Sequence, residues 1–179
     1  MQLSLLQTSH TTIWKIDRET QSVSGDLPIN TYIAGCEAPP CGLPQLEDAV
    51  VNIIFRAPRT IHSMTTLATA YLPGLLGFEV PIPYNLQEKA VTCNYLENSY
   101  CPVLEGEILQ YTLLMYIEST FLVLFVQGIS PTIEFRITDD NNVPFVCVRV
   151  PLVILQGTIT NAVSLPGVAR STGVFRRVS

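Results

Sequence analysis

Thr132-Ile-Glu-Phe-Arg-Ile-Thr-Asp-Asp-Asn-Asn-Val-Pro-Phe-Val-Cys-Val-Arg-Val-Pro151 is the stretch that decides the fold. Over Thr132 to Thr138, Ile133, Phe135 and Ile137 fall on one side of an extended chain and Glu134 and Arg136 on the other. That period of two is the pattern of a strand with one wet face. Asp139-Asp-Asn-Asn142 then reads as a turn, because Asn and Asp tolerate the left-handed conformation and hydrogen-bond their own backbone. Phe145 to Ile154 returns as a second strand, so the stretch predicts a hairpin.

Working outward, the same texture recurs. Val50-Val-Asn-Ile-Ile-Phe55 is short and β-branched, and Ala57-Pro58-Arg59 ends it as a turn. Ile61 to Leu72 is rich in Thr and apolar residues, as in a half-buried strand, and stops at Pro73-Gly74, and Tyr111 to Tyr116 begins another strand after Glu105-Gly106. In Phe78-Glu-Val-Pro-Ile-Pro83 two alternating prolines hold the chain extended but remove two ladder donors, which suits an edge strand or the mouth of a pocket. Short strands between Pro and Gly breaks, with no long amphipathic helix, predict an all-β sandwich. Residues 1–28 read as an irregular leader, 29–156 as one domain and 157–179 as a loose tail.

Composition narrows the function. The 179 residues are 47% hydrophobic and only 14% charged, which requires a large core or an interior kept apolar for a ligand. A net charge of −5 argues against a nucleic-acid partner, since phosphate binding needs clustered Lys and Arg, and Arg170, Arg176 and Arg177 are too few. The longest apolar run, Phe121 to Val126, falls far short of the roughly 20 residues that cross a bilayer. Met1 to Leu6 does not have the form of a secretory signal.

Catalytic motifs are equally scarce. His10 and His62 lie in unrelated contexts, Asp139 and Asp140 belong to the turn, and there is no Gly-x-Ser-x-Gly elbow, phosphate loop or His-Glu-x-x-His. The expectation is a protein that is not an enzyme, with no catalytic residue, no metal and no cofactor. The five cysteines are the remaining signal: Cys36 and Cys41 are close together, Cys93 and Cys101 are close together, and Cys147 stands alone in the late strand. An odd cysteine means a missing partner, a reactive thiol or an intermolecular bond. With Arg149 on its strand face, Cys147 could carry a lowered pKa, but an orphaned structural cysteine is the simpler reading.

Cys36-x4-Cys41-Gly-Leu, Val50 to Phe55, Phe78-Glu-Val-Pro-Ile-Pro83, Cys93-x7-Cys101-Pro102, Tyr111 and Ile133 to Asn142 followed by Cys147 together resemble the lipid-recognition (ML) domain. Within that family the order and spacing are most similar to the Niemann-Pick type C2 branch, in the form common among arthropods. The resemblance covers about residues 30 to 155. It implies an immunoglobulin-like β-sandwich of two antiparallel sheets with a lipid cavity between them. It also implies disulfides Cys36–Cys41 and Cys93–Cys101, and leaves Cys147 unpaired, because nothing in residues 1–35 supplies the cysteine that the family bridges to the late strand.

The lost closure matters. A loop of over 100 residues is worth nearly 5 kcal/mol in the chain-entropy model, against roughly 2–2.5 kcal/mol for each short one. This departure, the apolar segment Phe121 to Gln127 and the leader together suggest a variant transcript or an imperfect gene model.

The implied function is binding and transfer of one lipid, a sterol such as cholesterol or a fatty-acid-like molecule, in the extracellular fluid or the endosome–lysosome lumen. The partners are that lipid and, transiently, a membrane or lipid-acceptor protein, with the chain a monomer. The lipid contacts expected are Phe55, Leu67, Tyr71, Val80, Tyr111, Leu113, Phe121, Ile133, Phe135 and Val146 from facing strands, with Phe78, Pro81, Ile82 and Pro83 from the proline motif. Two rivals stand beside it: an innate-immune sensor of microbial lipids acting through a receptor, and a poorly folded variant with no activity. Basic residues at the mouth would mark the sensor, whereas here the motif carries Glu79.

Overall fold

A computed structural model describes residues 25–74, 77–119 and 130–155. Eight strands form two sheets. The smaller sheet has the order β1 (Asn30–Ile33), β3 (Asp48–Arg56), β6 (Ile108–Tyr116). The larger has the order β2 (Cys41–Pro44), β8 (Pro144–Leu155), β7 (Thr132–Thr138), β4 (Thr65–Pro73), β5 (Glu79–Tyr84). All pairs are antiparallel except β2 with β8, which run parallel. Among the described residues there is no α-helix, and the 3-10 segments Gln87–Ala90 and Thr92–Tyr95 lie between β5 and β6. No helix here is long and apolar enough to cross a membrane.

Alternation explains the sandwich. β3 buries Ala49, Val51, Ile53 and Phe55, and β6 buries Leu109, Tyr111, Leu113 and Met115. The two strands pair over their whole length, from Asp48 opposite Tyr116 to Arg56 opposite Ile108. On their outer face Thr112 Oγ1 donates to Asn52 Oδ1 at 2.7 Å, across a directly opposed pair. From the other sheet, β7 contributes Ile133, Phe135 and Ile137, and β8 contributes Val146, Val148, Val150, Leu152 and Ile154. A register shift leaves Phe145 as an extra residue between Thr138 opposite Pro144 and Ile137 opposite Val146. Such a bulge lets two consecutive residues serve the core, and the Phe145 ring meets that of Phe55 edge-on at 5.7 Å.

The two disulfides staple places where the chain changes layers. Cys36–Cys41 closes the crossover from β1 in one sheet to β2 in the other, and Cys93–Cys101 ties the 3-10 segment to the chain leading into β6. Cys147 is the free cysteine and is buried. The leader is described only from Gly25, and there Asp26 bridges Val146 and accepts the Cys147 N–H at 3.0 Å, so ordered pairing reaches back before Asn30. Residues 1–24, the tail from 156 and the Phe121 to Gln127 segment lie outside the described residues.

The turn between β7 and β8 is built by Asp139. Its carboxylate accepts the N–H groups of Asn141 at 2.9 Å and Val143 at 2.8 Å, and Asn142 takes the left-handed conformation with φ 58°. The same carboxylate pairs with Arg59 from the β3–β4 connection. Burial alone would raise the Asp139 pKa, but Arg59 and the two N–H groups outweigh it and hold the carboxyl below its ordinary value. A depressed carboxyl pKa contributes stability that is present above the unfolded value, about pH 4, and is lost as pH falls through the folded one. Asp139→Asn is therefore expected to lower stability at pH 7 and to close the gap with the parent below about pH 4. Urea midpoints across that pH range check this, and a gap independent of pH would show that the charge is immaterial.

Candidate functional site

Directly opposed residues of an antiparallel pair project from the same face of a sheet. On β4 the buried inward positions are Thr66, Ala68 and Ala70, continuing to half-buried Leu72. Opposite them on β5 stand Tyr84, Ile82 and Val80, facing Ala68, Ala70 and Leu72 respectively. The edge strand therefore aims Val80, Ile82 and Tyr84 at the sandwich interior. Yet Val80 is 49% exposed and Ile82 45%.

Topology supplies the reason. β5 is the outermost of five strands, facing a sheet of only three, so the opposing layer does not cover it. The two layers meet again at one end of β5, where the Tyr84 hydroxyl donates to the Tyr116 carbonyl of β6 at 2.6 Å. The result is an apolar rim, pinned at Tyr84 and open along Ile82 and Val80. Phe78, 72% exposed, stands just before it. Ala70 is buried but is not part of the contiguous packed core, so packing thins toward this edge.

The interior brings together Phe55, Tyr111, Leu113, Ile133, Phe135 and Val146, all closed to solvent. Phe121 lies outside the described residues. Leu67 and Tyr71, expected inside, point the other way. The phase of β4 is set by Thr66, Ala68 and Ala70, and the larger side chains fall on the outer face. Pro81 and Pro83 also leave the interior: they stand opposite Tyr71 and Thr69, exposed on the outer surface of the edge strand.

The outer face carries a charged cluster that the sequence reading missed. Glu134 is 2% exposed and accepts from Arg136 Nη2 at 2.6 Å and Arg149 Nε at 2.9 Å. Arg149 also donates to Glu79 at 3.1 Å and lies 3.9 Å over the Tyr71 ring. Cys147 sits beside this cluster, opposite Arg136. Burial pushes its thiol pKa up, and Glu134 adds to the rise against the pull of Arg136 and Arg149. A raised pKa suits a structural thiol, not an activated nucleophile.

A groove of about 140 Å3 runs between the turn at Asn85–Lys89 and the outer side of β6 at Leu114 and Tyr116, with Glu118 at its margin. Its mixed polar lining includes Tyr84 and so adjoins the pinned end of the edge strand, where the two layers meet. Among the described residues no group of three His, Cys, Asp or Glu is placed to hold a metal ion.

The fold is a β-sandwich with an exposed apolar edge, and comparison with known proteins gives the class. The family model of the ML domain matches residues 20–154. The chain belongs to the ML-domain family, a family of lipid-binding proteins and not of enzymes. Its backbone is similar to the crystal structure of a Niemann-Pick type C2 protein from the Japanese carpenter ant, with a TM-score of 0.58 and 19% sequence identity. The match covers 76% of this chain and 96% of the ant protein. No curated protein matches the chain by sequence. The family and the two disulfides fit an extracellular or lysosomal lumen.

Proposed function

We infer that the chain takes up one apolar lipid between its sheets through the open β5 edge and passes it to a membrane or an acceptor protein. A sterol is the ligand class we favour, with a fatty-acid-like chain next. The observation that carries this reading is the pair Val80 and Ile82, which face the interior and are still about half exposed. Exposed apolar side chains on an inward face gain by receiving an apolar ligand, because both surfaces then leave water. At about 25 cal/mol per Å2 of apolar area, a few hundred Å2 supplies several kcal/mol before association costs. Transfer needs no bond-making, only separation of the layers at the exposed edge.

The charge pattern favours a carrier over a sensor of phosphorylated microbial lipids. The guanidinium beside the edge strand, Arg149, is engaged by Glu134 and Glu79. A phosphate would have to displace those carboxylates. The reading puts this work in the extracellular fluid or the endosome–lysosome lumen, which the family and the two disulfides support, with the chain acting as a monomer.

Native mass spectrometry of protein made through an oxidising secretory route, with cholesterol and oleic acid offered, tests the reading. One lipid per chain is expected. Ile82→Asp puts a charge on the rim and is expected to weaken uptake at least about tenfold, since a carboxylate there must be desolvated when the ligand arrives. Ile82 is half exposed, so the variant should still fold. A folded parent that takes up no lipid would overturn the carrier reading, and unchanged uptake by the variant would move the mouth elsewhere.

A further inference from the structure

The interior has a polar end. Thr66 and Thr92 are buried and their hydroxyl oxygens lie 2.7 Å apart. Beside them the Tyr111 side chain, fully buried, presents a hydroxyl with no protein partner in hydrogen-bond geometry. Burial pushes its pKa up to about 12, with the Thr66 hydroxyl pulling the other way in part. Buried hydroxyls are ordinarily paired, because an unpaired one forfeits its bonds to water. An orphan at this place, inside a sandwich whose rim is open, points to a ligand.

The position along the strands gives a direction. Thr66 and Leu72 are both inward on β4, six residues or about 20 Å apart. Between them β4 presents only Ala68 and Ala70. On β4 only the small side chains of Ala68 and Ala70 therefore stand between the apolar rim at Leu72 and Val80 and the hydroxyls at Thr66, Thr92 and Tyr111. The other unpartnered interior hydroxyl, on Thr31, is separated from Tyr111 by Ile53 in the middle strand of its sheet.

Charge selects the head group. The buried polar residues among those described include no lysine, arginine or histidine. A carboxylate at this depth would lack a counter-charge and bear the full desolvation cost of a buried charge. A neutral alcohol fits: it can accept from the phenol and donate to a threonine oxygen.

We propose that Tyr111, Thr66 and Thr92 form a deep subsite that receives the hydroxyl of an uncharged, otherwise apolar ligand, which lies head inward with its apolar end at the Val80–Ile82 rim. This rests on the lipid-carrier reading and adds an orientation and a head-group preference to it.

Displacement of the apolar dye N-phenyl-1-naphthylamine by 1-hexadecanol, hexadecyl methyl ether and palmitate at pH 7.4 tests it. Wild-type protein is expected to rank the alcohol first. Tyr111→Phe keeps the ring and removes the hydroxyl, and it should cut alcohol affinity about three- to tenfold while dye and palmitate affinities stay within about twofold. Thr66→Val should produce the same selective loss and serves if the tyrosine variant does not fold. Wild-type protein that takes up neither dye nor lipid would overturn the carrier reading and this proposal with it. Lipid uptake with palmitate preferred, or an alcohol preference unchanged in both variants, would overturn the proposal and leave the carrier reading standing.

Discussion

Glu134→Ala is expected to lower stability by about 3 kcal/mol, more than any other single change on the outer face of the larger sheet. The carboxylate is 2% exposed and holds two guanidinium groups, those of Arg136 and Arg149, whose side chains are only 31% and 22% exposed. Removing a buried partner leaves uncompensated charge, which typically costs about 3–5 kcal/mol. The lower end applies because Arg149 keeps Glu79 and the Tyr71 ring, and both arginines retain some water. For a domain of this size about 3 kcal/mol corresponds to a fall in Tm of roughly 6–12 °C.

Glu79→Gln is the natural control. It breaks an ion pair whose carboxylate side chain is 48% exposed, and should cost less than about 1 kcal/mol. The double variant Glu134→Leu with Arg149→Leu should recover part of the loss, since apolar replacement of a buried pair is often nearly neutral. Thermal denaturation of the three variants checks the set. A Glu134→Ala cost no larger than that of Glu79→Gln would show that the cluster is merely a solvated face.

That cluster also marks where sequence reasoning stops. The Thr132–Thr138 alternation placed Ile133, Phe135 and Ile137 inside and Glu134 and Arg136 outside, and the structure agrees on every residue. Alternation does not say how wet the outer face is. Glu134 is buried by long neighbours on adjacent strands, Arg149 from β8 and Tyr71 from β4, and strand neighbours cannot be read from a single strand. The same gap explains Leu67 and Tyr71. Thr and apolar residues fall on both faces of β4, so its text does not say which face is inward, and its pairing with β5 and β7 is not legible from the strand alone.

The proline motif was legible for the opposite reason. Two residues without N–H groups cannot sit in the middle of a sheet, and β5 is an edge strand. β1 and β2 were not legible as strands, because four residues each carry too little pattern. The deep polar end was missed for want of any local signal. Thr66, Thr92 and Tyr111 are ordinary strand and turn residues until the fold brings them together.

Gly25→Cys is expected to form a disulfide with Cys147 and to raise stability by about 2 kcal/mol over the reduced form of the same variant. Gly25 lies against the free thiol: a Cβ placed on it would stand 3.1 Å from the Cys147 Cβ, and Asp26 beside it is already bonded to the Cys147 backbone. The bridge would span 122 residues (147 − 25), long enough for nearly 5 kcal/mol in the chain-entropy model. Geometry takes part of that back. The disulfide Cβ–Cβ separation is usually about 3.5–4.5 Å, and Gly25 has φ 137°, where a side chain is strained by roughly 1–3 kcal/mol. A few tenths of an ångström of movement at a segment held by a single bridge, Asp26 to Val146, relieves the contact.

With a second cysteine set against Cys147, the outcome is easily read. Thiol titration in denaturant should find one free thiol in the parent and none in the oxidised variant. The oxidised variant should melt roughly 4–8 °C above its reduced form. Two free thiols in the folded, oxidised variant would mean that the start of the domain does not lie against β8. The same bridge would then be absent from this chain for a structural reason, and not through the loss of one cysteine.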